Sequence, residues 1–192
     1  MTEPQPPETK KDLSVSASQA TLLSFGFGIP PACILIGLYF IRWRVALNID
    51  SNRPELFFYF FIGFVAALVL GSVIHELIHA LTWVVFGHMT LKSVKFGFQW
   101  KTFTPYAHCP EAMEVGAYLL GVSMPLVLLG IMPSLIGISI GNGWLMSFGF
   151  LFTLAAGGDL VVLWLIRGVK RGQLVQDHPT QVGCYLIESP YG

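Results

Sequence analysis

Charge is what this chain has least of: 11% of its 192 residues are Asp, Glu, Lys or Arg, against about 25% in an ordinary soluble domain. That scarcity excludes a plain water-soluble globule. The chain also lacks net charge of either sign, with Lys+Arg 11 and Asp+Glu 11. No positive field exists to gather nucleic acid, and no acidic excess marks a solvating tail. Cysteine is sparse as well. Cys33, Cys109 and Cys184 are odd in number and lie in unlike surroundings, so no disulfide framework is expected and each reads as a free thiol. Internal repeats and low-complexity tracts are absent.

What the chain has instead is hydrophobicity, 54% of its residues, arranged in blocks. No charge falls between Thr21 and Ile41 or between Leu56 and Ile74, and each run is long enough to cross ~30 Å of hydrocarbon at ~1.5 Å per residue. A third uncharged block, Val115 to Gly158, is too long for one helix. Gly141-Asn142-Gly143 interrupts it, a turn signal that divides it into two spans. The first run exceeds the ~7–15 apolar residues of a signal peptide and no small-residue cleavage site follows, so Arg42-Trp43-Arg44 reads as an interfacial anchor. The expected fold class is an all-α integral membrane protein of about four transmembrane helices.

Residues 1–20, polar and without a period, are expected to form a mobile cytoplasmic tail, residues 21–171 the four-span membrane domain, and residues 172–192 a cytoplasmic C-terminal tail. Between spans two and three, Val94, Phe96, Phe98 and Trp100 alternate with Lys95, Gly97, Gln99 and Lys101, which predicts a short cytoplasmic β-strand or hairpin. An exposed edge of such a strand can hold an extended peptide through main-chain hydrogen bonds; equally, its aromatics can anchor the loop at the membrane interface. Orientation follows from the basic residues. Lys10, Lys11, Lys92, Lys95, Lys101, Arg167, Lys170 and Arg171 fall on one side and Arg42, Arg44 and Arg53 on the other, which places both termini in the cytoplasm. Pro30-Pro31, Pro125 and Pro133 interrupt helical hydrogen bonding within the first and third spans.

The second span runs directly into His75-Glu76-Leu77-Ile78-His79, an H-E-x-x-H motif. Histidines four apart share one helical face, so both imidazoles can reach one tetrahedral Zn²⁺ at ~2.0–2.1 Å. Glu76 is then placed to take a proton from a zinc-activated water, as peptide hydrolysis requires. Ionisable groups in a membrane helix are costly when unpaired and mark function by default. A third protein ligand is needed. A metzincin continuation is excluded because positions 82 and 85 hold Thr82 and Val85. Glu111 and Glu114 are possible, and Asp159, the sole carboxylate of the fourth span, is the stronger candidate. His79 lies eight residues before Gly87 and Asp159 eight before Arg167, so both sit about 12 Å from the cytoplasmic end of their helices. Gly157 and Gly158 are expected to let the histidine-bearing helix approach.

The helix His75–His79, the loop Pro105-Tyr106-Ala107-His108-Cys109-Pro110-Glu111, the Pro125-containing span and Gly157-Gly158-Asp159 together resemble a family of zincin membrane peptidases catalogued as a domain of unknown function, over Phe57 to Cys184. More distantly the chain is similar to the site-2 proteases, in which HExxH on one transmembrane helix and an Asp next to Gly on a later one hold zinc within the bilayer. Here Gly precedes Asp159 and Leu160 follows it, reversing the usual Asp-Gly order. The resemblance implies His75, His79 and Asp159 as Zn²⁺ ligands, Glu76 as catalytic base, and His108, Cys109 and Glu111 as rim residues of the site. It also implies a bacterial plasma membrane.

The expected function is a membrane-embedded zinc metallopeptidase acting on transmembrane or membrane-adjacent protein substrates, with the lipid bilayer as its solvent. Two other classes fit parts of the pattern: a silent membrane scaffold with a structural metal, and a metal or solute conduit. Glu76 beside the ligands argues against both, because neither needs a general base. A regulatory partner or a homo-oligomer is left open.

Overall fold

The computed structural model describes residues 9–44, 54–100 and 104–188, without the side chains of residues 54 and 55. The apolar blocks form helices. Helix α1 (Ala17–Trp43) starts at a capping box, in which Ser16 Oγ accepts from Gln19 N–H and Gln19 returns its side chain to the Ser16 N–H. It continues through Pro30 and Pro31 and stops at Arg44, whose φ is 57°. Helix α2 (Pro54–Phe86) carries the HExxH motif in its last third and ends at Gly87, beside His88 in a left-handed conformation. The third leg is α3 (Val115–Pro125), a π-helical turn (Leu126–Ile131) and α4 (Met132–Ile140). Gly141 (φ 72°) terminates it, and Asn142 caps the fourth leg by accepting from Leu145 N–H at 2.9 Å. That leg is α5 (Gly143–Ala155) and α6 (Gly157–Leu165), bent by 41° at Ala156.

By length and apolarity, three of these legs can cross a membrane, and the bent pair makes a fourth if it is one span. The first half of α2 displays the surface this requires. Phe58, Tyr59, Phe60, Phe61 and Ile62 are all exposed, so the helix is apolar on every side, as lipid demands and water does not.

The all-α expectation is corrected, because six strands accompany the helices among the described residues. The hairpin expected between spans two and three is present as β2 (Lys95–Gln99) and β3 (Thr104–His108), antiparallel with Gly97 opposite Tyr106. A second sheet was not expected. It orders β1 (Thr9–Val15), β6 (Val182–Glu188), β5 (Leu174–Asp177) and β4 (Ala112–Glu114), all antiparallel. Residues 9–15, in which no element was foreseen, are thus an ordered strand of seven paired residues running from Thr9↔Glu188 to Val15↔Val182. The physical reason is that β1 gains its backbone partners from the far end of the chain, a pairing that no local period announces.

This sheet fixes the direction of three of the four legs. Strand β1 leads into α1, β4 leads into α3, and β5 follows α6. The starts of the first and third legs and the end of the fourth therefore meet at one end of the bundle. The core there mixes Ala80 and Trp83 of α2, Tyr118 and Val122 of α3, Val162 of α6, and Val175, Cys184 and Leu186 of the sheet. At the opposite end Trp43 donates its indole N–H to the Ile138 carbonyl at 2.7 Å and Tyr39 donates its hydroxyl to the Gly141 carbonyl at 3.1 Å. Lys10, Lys11, Lys92, Lys95, Arg167, Lys170 and Arg171 all lie at the sheet end, with Arg42 and Arg44 at the other; Arg53 and Lys101 fall outside the described residues.

Candidate metal centre

The site is built where α2 passes α6. His75, His79 and Trp83 recur every four residues and face inward, while Leu77, Leu81 and Val85 face out, the two stripes of one helix. Asp159 stands in the first turn of α6, just past the bend. His75 Nε2 lies 3.2 Å from Asp159 Oδ2, and His79 Nε2 lies 3.4 Å from Asp159 Oδ1. Among the described residues these three form the one group of three or more potential metal ligands converging within 4.8 Å.

The expected part played by the glycines is corrected. A side chain on Gly157 would collide with the Ser24 backbone of α1, and one on Gly28 of α1 would meet the Leu154 carbonyl at 3.1 Å. The small residues before Asp159 let α6 close on α1, not on the histidine helix.

His79 is oriented from behind. Its Nδ1 lies 2.9 Å from the Gly121 carbonyl oxygen. A carbonyl only accepts, so Nδ1 carries the proton and Nε2 is the nitrogen left to face a cation shared with Asp159. Gly121 can accept because Pro125, four residues on, has no N–H to close the helical bond. Gly121 also needs to be glycine, since a Cβ there would fall on the Trp83 indole.

These donors fit a divalent cation. Two ligand atoms on a tetrahedral ion with bonds of ~2.0–2.1 Å stand about 3.3 Å apart, and the observed separations are 3.2 and 3.4 Å. Asp159 Oδ2 is shut off from solvent and makes no hydrogen bond, a cost that a bound cation would remove. The His, His, carboxylate set suits zinc.

Glu76 lies one residue along α2 from His75, and its Oε2 accepts the Ala107 N–H of β3 at 2.7 Å. The strand nearest the site is therefore β3, with β2 on its far side; the segment Val94–Trp100 is the outer strand of the hairpin.

The rim candidates are placed as follows. His108 Nδ1 lies 2.8 Å from Asp177 Oδ2, and the Cys109 N–H reaches the same oxygen at 3.3 Å. Neither belongs to the converging ligand group. Cys109 is fully buried, and burial pushes its thiol pKa up, the reverse of what a nucleophile needs. Glu111 is exposed. Glu114 turns away from the site to accept the Gly172 N–H at 3.2 Å. Sequence reasoning missed Asp177, Tyr118 and Gly121; only the Gly121/Pro125 spacing of four carried a readable signal for any of them.

Residues 67–174, more than half of the chain, match the family model described as "putative zincin peptidase". The match covers His75, Glu76, His79 and Asp159. No curated protein and no solved structure matches the chain.

Proposed function

The chain belongs to this zincin peptidase family, and from that membership together with the geometry at Asp159 we propose that it is a membrane-embedded zinc metallopeptidase of site-2-protease-like type. The observation that carries the reading is the convergence of His75, His79 and Asp159 on one point, with Glu76 on the adjoining turn.

His75, His79 and Asp159 would hold the ion. When bound, it supplies Lewis acidity, which acidifies water and polarises a carbonyl. The Gly121 carbonyl keeps the His79 ring turned with Nε2 toward Asp159. Glu76 is the proton carrier. Its Oε2 is engaged by Ala107, which fixes the carboxylate plane. Oε1 then takes a proton from water and delivers it to the departing amine. The exposed apolar surface of α2 supports the reading that the substrates are themselves in or beside the bilayer. The basic residues at the sheet end favour a cytoplasmic position for that end and for both tails. Strand β3, whose edge meets Glu76, is the better-placed strand to align an extended substrate; β2 stands one strand spacing, ~4.8 Å, further out.

The test is a comparison of Glu76→Gln with the parent, both purified in detergent and both expressed in membranes. We expect about one zinc per chain in each by elemental analysis. New protein termini in the membrane fraction should appear with the parent alone. Cleavage that survives Glu76→Gln would exclude the base. A parent without metal after metal-replete purification would exclude the zinc site. Metal uptake into vesicles that persists in Glu76→Gln would favour a conduit instead.

A further inference from the structure

A single carboxylate outside the site ties its two halves together. Asp177 closes β5, just beyond the residues that match the family. Its Oδ2 accepts the His108 Nδ1–H at 2.8 Å and the Cys109 N–H at 3.3 Å, and its Oδ1 accepts the Tyr118 hydroxyl at 2.9 Å. Three donors, from β3, the residue after it and α3, thus converge on one side chain, 16% exposed. Hydrogen bonds to an ionised acceptor are about twice as strong as neutral ones.

Two routes run from Asp177 to the proposed active residues. Along β3, His108 is bonded to Ala107, whose N–H holds Glu76 Oε2 at 2.7 Å. Along α3, the Tyr118 ring stacks on Trp83 at 5.7 Å and 4°, and Trp83 stacks on His79 at 5.6 Å and 19°. The Trp83 indole N–H reaches back to the Tyr118 carbonyl at 3.5 Å. One route ends on the base and the other on a ligand.

We infer that Asp177 is a positioning residue that sets the placement of Glu76 through His108 and β3, and of His79 through Tyr118 and Trp83. This rests on the metallopeptidase reading for the roles of Glu76 and His79. If Asp177 merely held the sheet to the bundle, its loss would lower stability and leave the metal's surroundings alone. If it positions the site, loss of either arm alters one half of the site in a protein that still folds.

The two arms can be cut separately. Tyr118→Phe removes only the hydroxyl, and His108→Gln only the imidazole arm. Zinc affinity would be read by chelator competition, with Co²⁺ as the spectroscopic probe of ligand geometry. Hydrogen exchange of residues 104–109 would report the Ala107 amide. Tyr118→Phe should weaken zinc about tenfold and shift the cobalt bands, with thermal stability close to that of the parent. His108→Gln should leave zinc affinity near the parent's and speed exchange at Ala107 several-fold. Asp177→Ala should do both, and Asp177→Glu should restore part of each. Parental zinc affinity, cobalt spectrum and exchange in folded Tyr118→Phe and His108→Gln would overturn the inference, whether or not Asp177→Ala folds. A parent that binds neither zinc nor cobalt would overturn the metallopeptidase reading instead, and the Ala107 exchange would still decide whether Asp177 holds β3 on Glu76.

Discussion

His79 is held by Gly121: its Nδ1–H reaches the Gly121 carbonyl at 2.9 Å, a carbonyl that Pro125 leaves without its helical partner. A proline that weakens one helix thereby supplies the acceptor that orients His79 on another.

Pro125→Ala restores an N–H that competes with His79 for the Gly121 oxygen. Zinc affinity should fall about tenfold, the usual scale for losing a ligand's supporting hydrogen bond. The metal-free protein should melt somewhat below the parent, because the fully buried Pro125 ring is truncated. Chelator competition and thermal melts, run side by side, check both halves.

Gly121→Ala attacks the same contact by volume. The added methyl would overlap the Trp83 indole, which is 3% exposed and stacked between His79 and Tyr118. Overpacking of this kind costs about 1–3 kcal/mol. The expected result is a lower melting temperature together with reduced zinc content by elemental analysis.

Zinc should stabilise the fold in proportion to its occupancy. Binding to the folded state alone adds about 2.7 kcal/mol at a hundredfold excess over Kd, so a zinc titration should raise the thermal midpoint of the parent. Asp159→Ala deletes one of the three converging potential ligands and should abolish that rise. A midpoint that still climbs with zinc would move the third ligand elsewhere.

Cys184 makes the sheet end sensitive to alkali. Burial, with Asp177 and Asp12 nearby, pushes its thiol from 9.0 up to about 12. The folded state therefore keeps the proton that the unfolded chain loses above pH 9, so stability falls with rising pH across pH 9 to 12. Chemical denaturation at several alkaline pH values should show that slope. Cys184→Ala should lessen it, leaving the part that the buried Cys109 contributes. At neutral pH the buried Cys109 and Cys184 should resist alkylation until the chain unfolds.

The helical legs were legible because charge is excluded from them, and the turn at Gly141 because glycine and asparagine suit its left-handed cap. The end of α2 at Gly87 and the strand at Lys95–Gln99 followed from local pattern. Equal depth brought His79 and Asp159 to one level, as the 3.4 Å contact reflects. What stayed hidden was long-range. Strand β1 finds its partner across most of the chain, from Thr9 to Glu188. Strand β3 begins with Thr104-Pro105, and a proline argues against a strand unless it lies at an edge or a start. Asp177 looked like an ordinary tail residue because its three donors come from residues 108, 109 and 118, far away in the chain.

The pairing of β1 with β6 also orders events in time. Ribosomes deliver residues 182–188 after all four legs, so β1 must wait unpaired while the helices are made. Contacts of such separation form late. Asp177, on the neighbouring strand, also follows all four legs in the chain. A chain that stops short of residues 174–177 therefore carries the HExxH helix without Asp177, the acceptor for His108 and Tyr118.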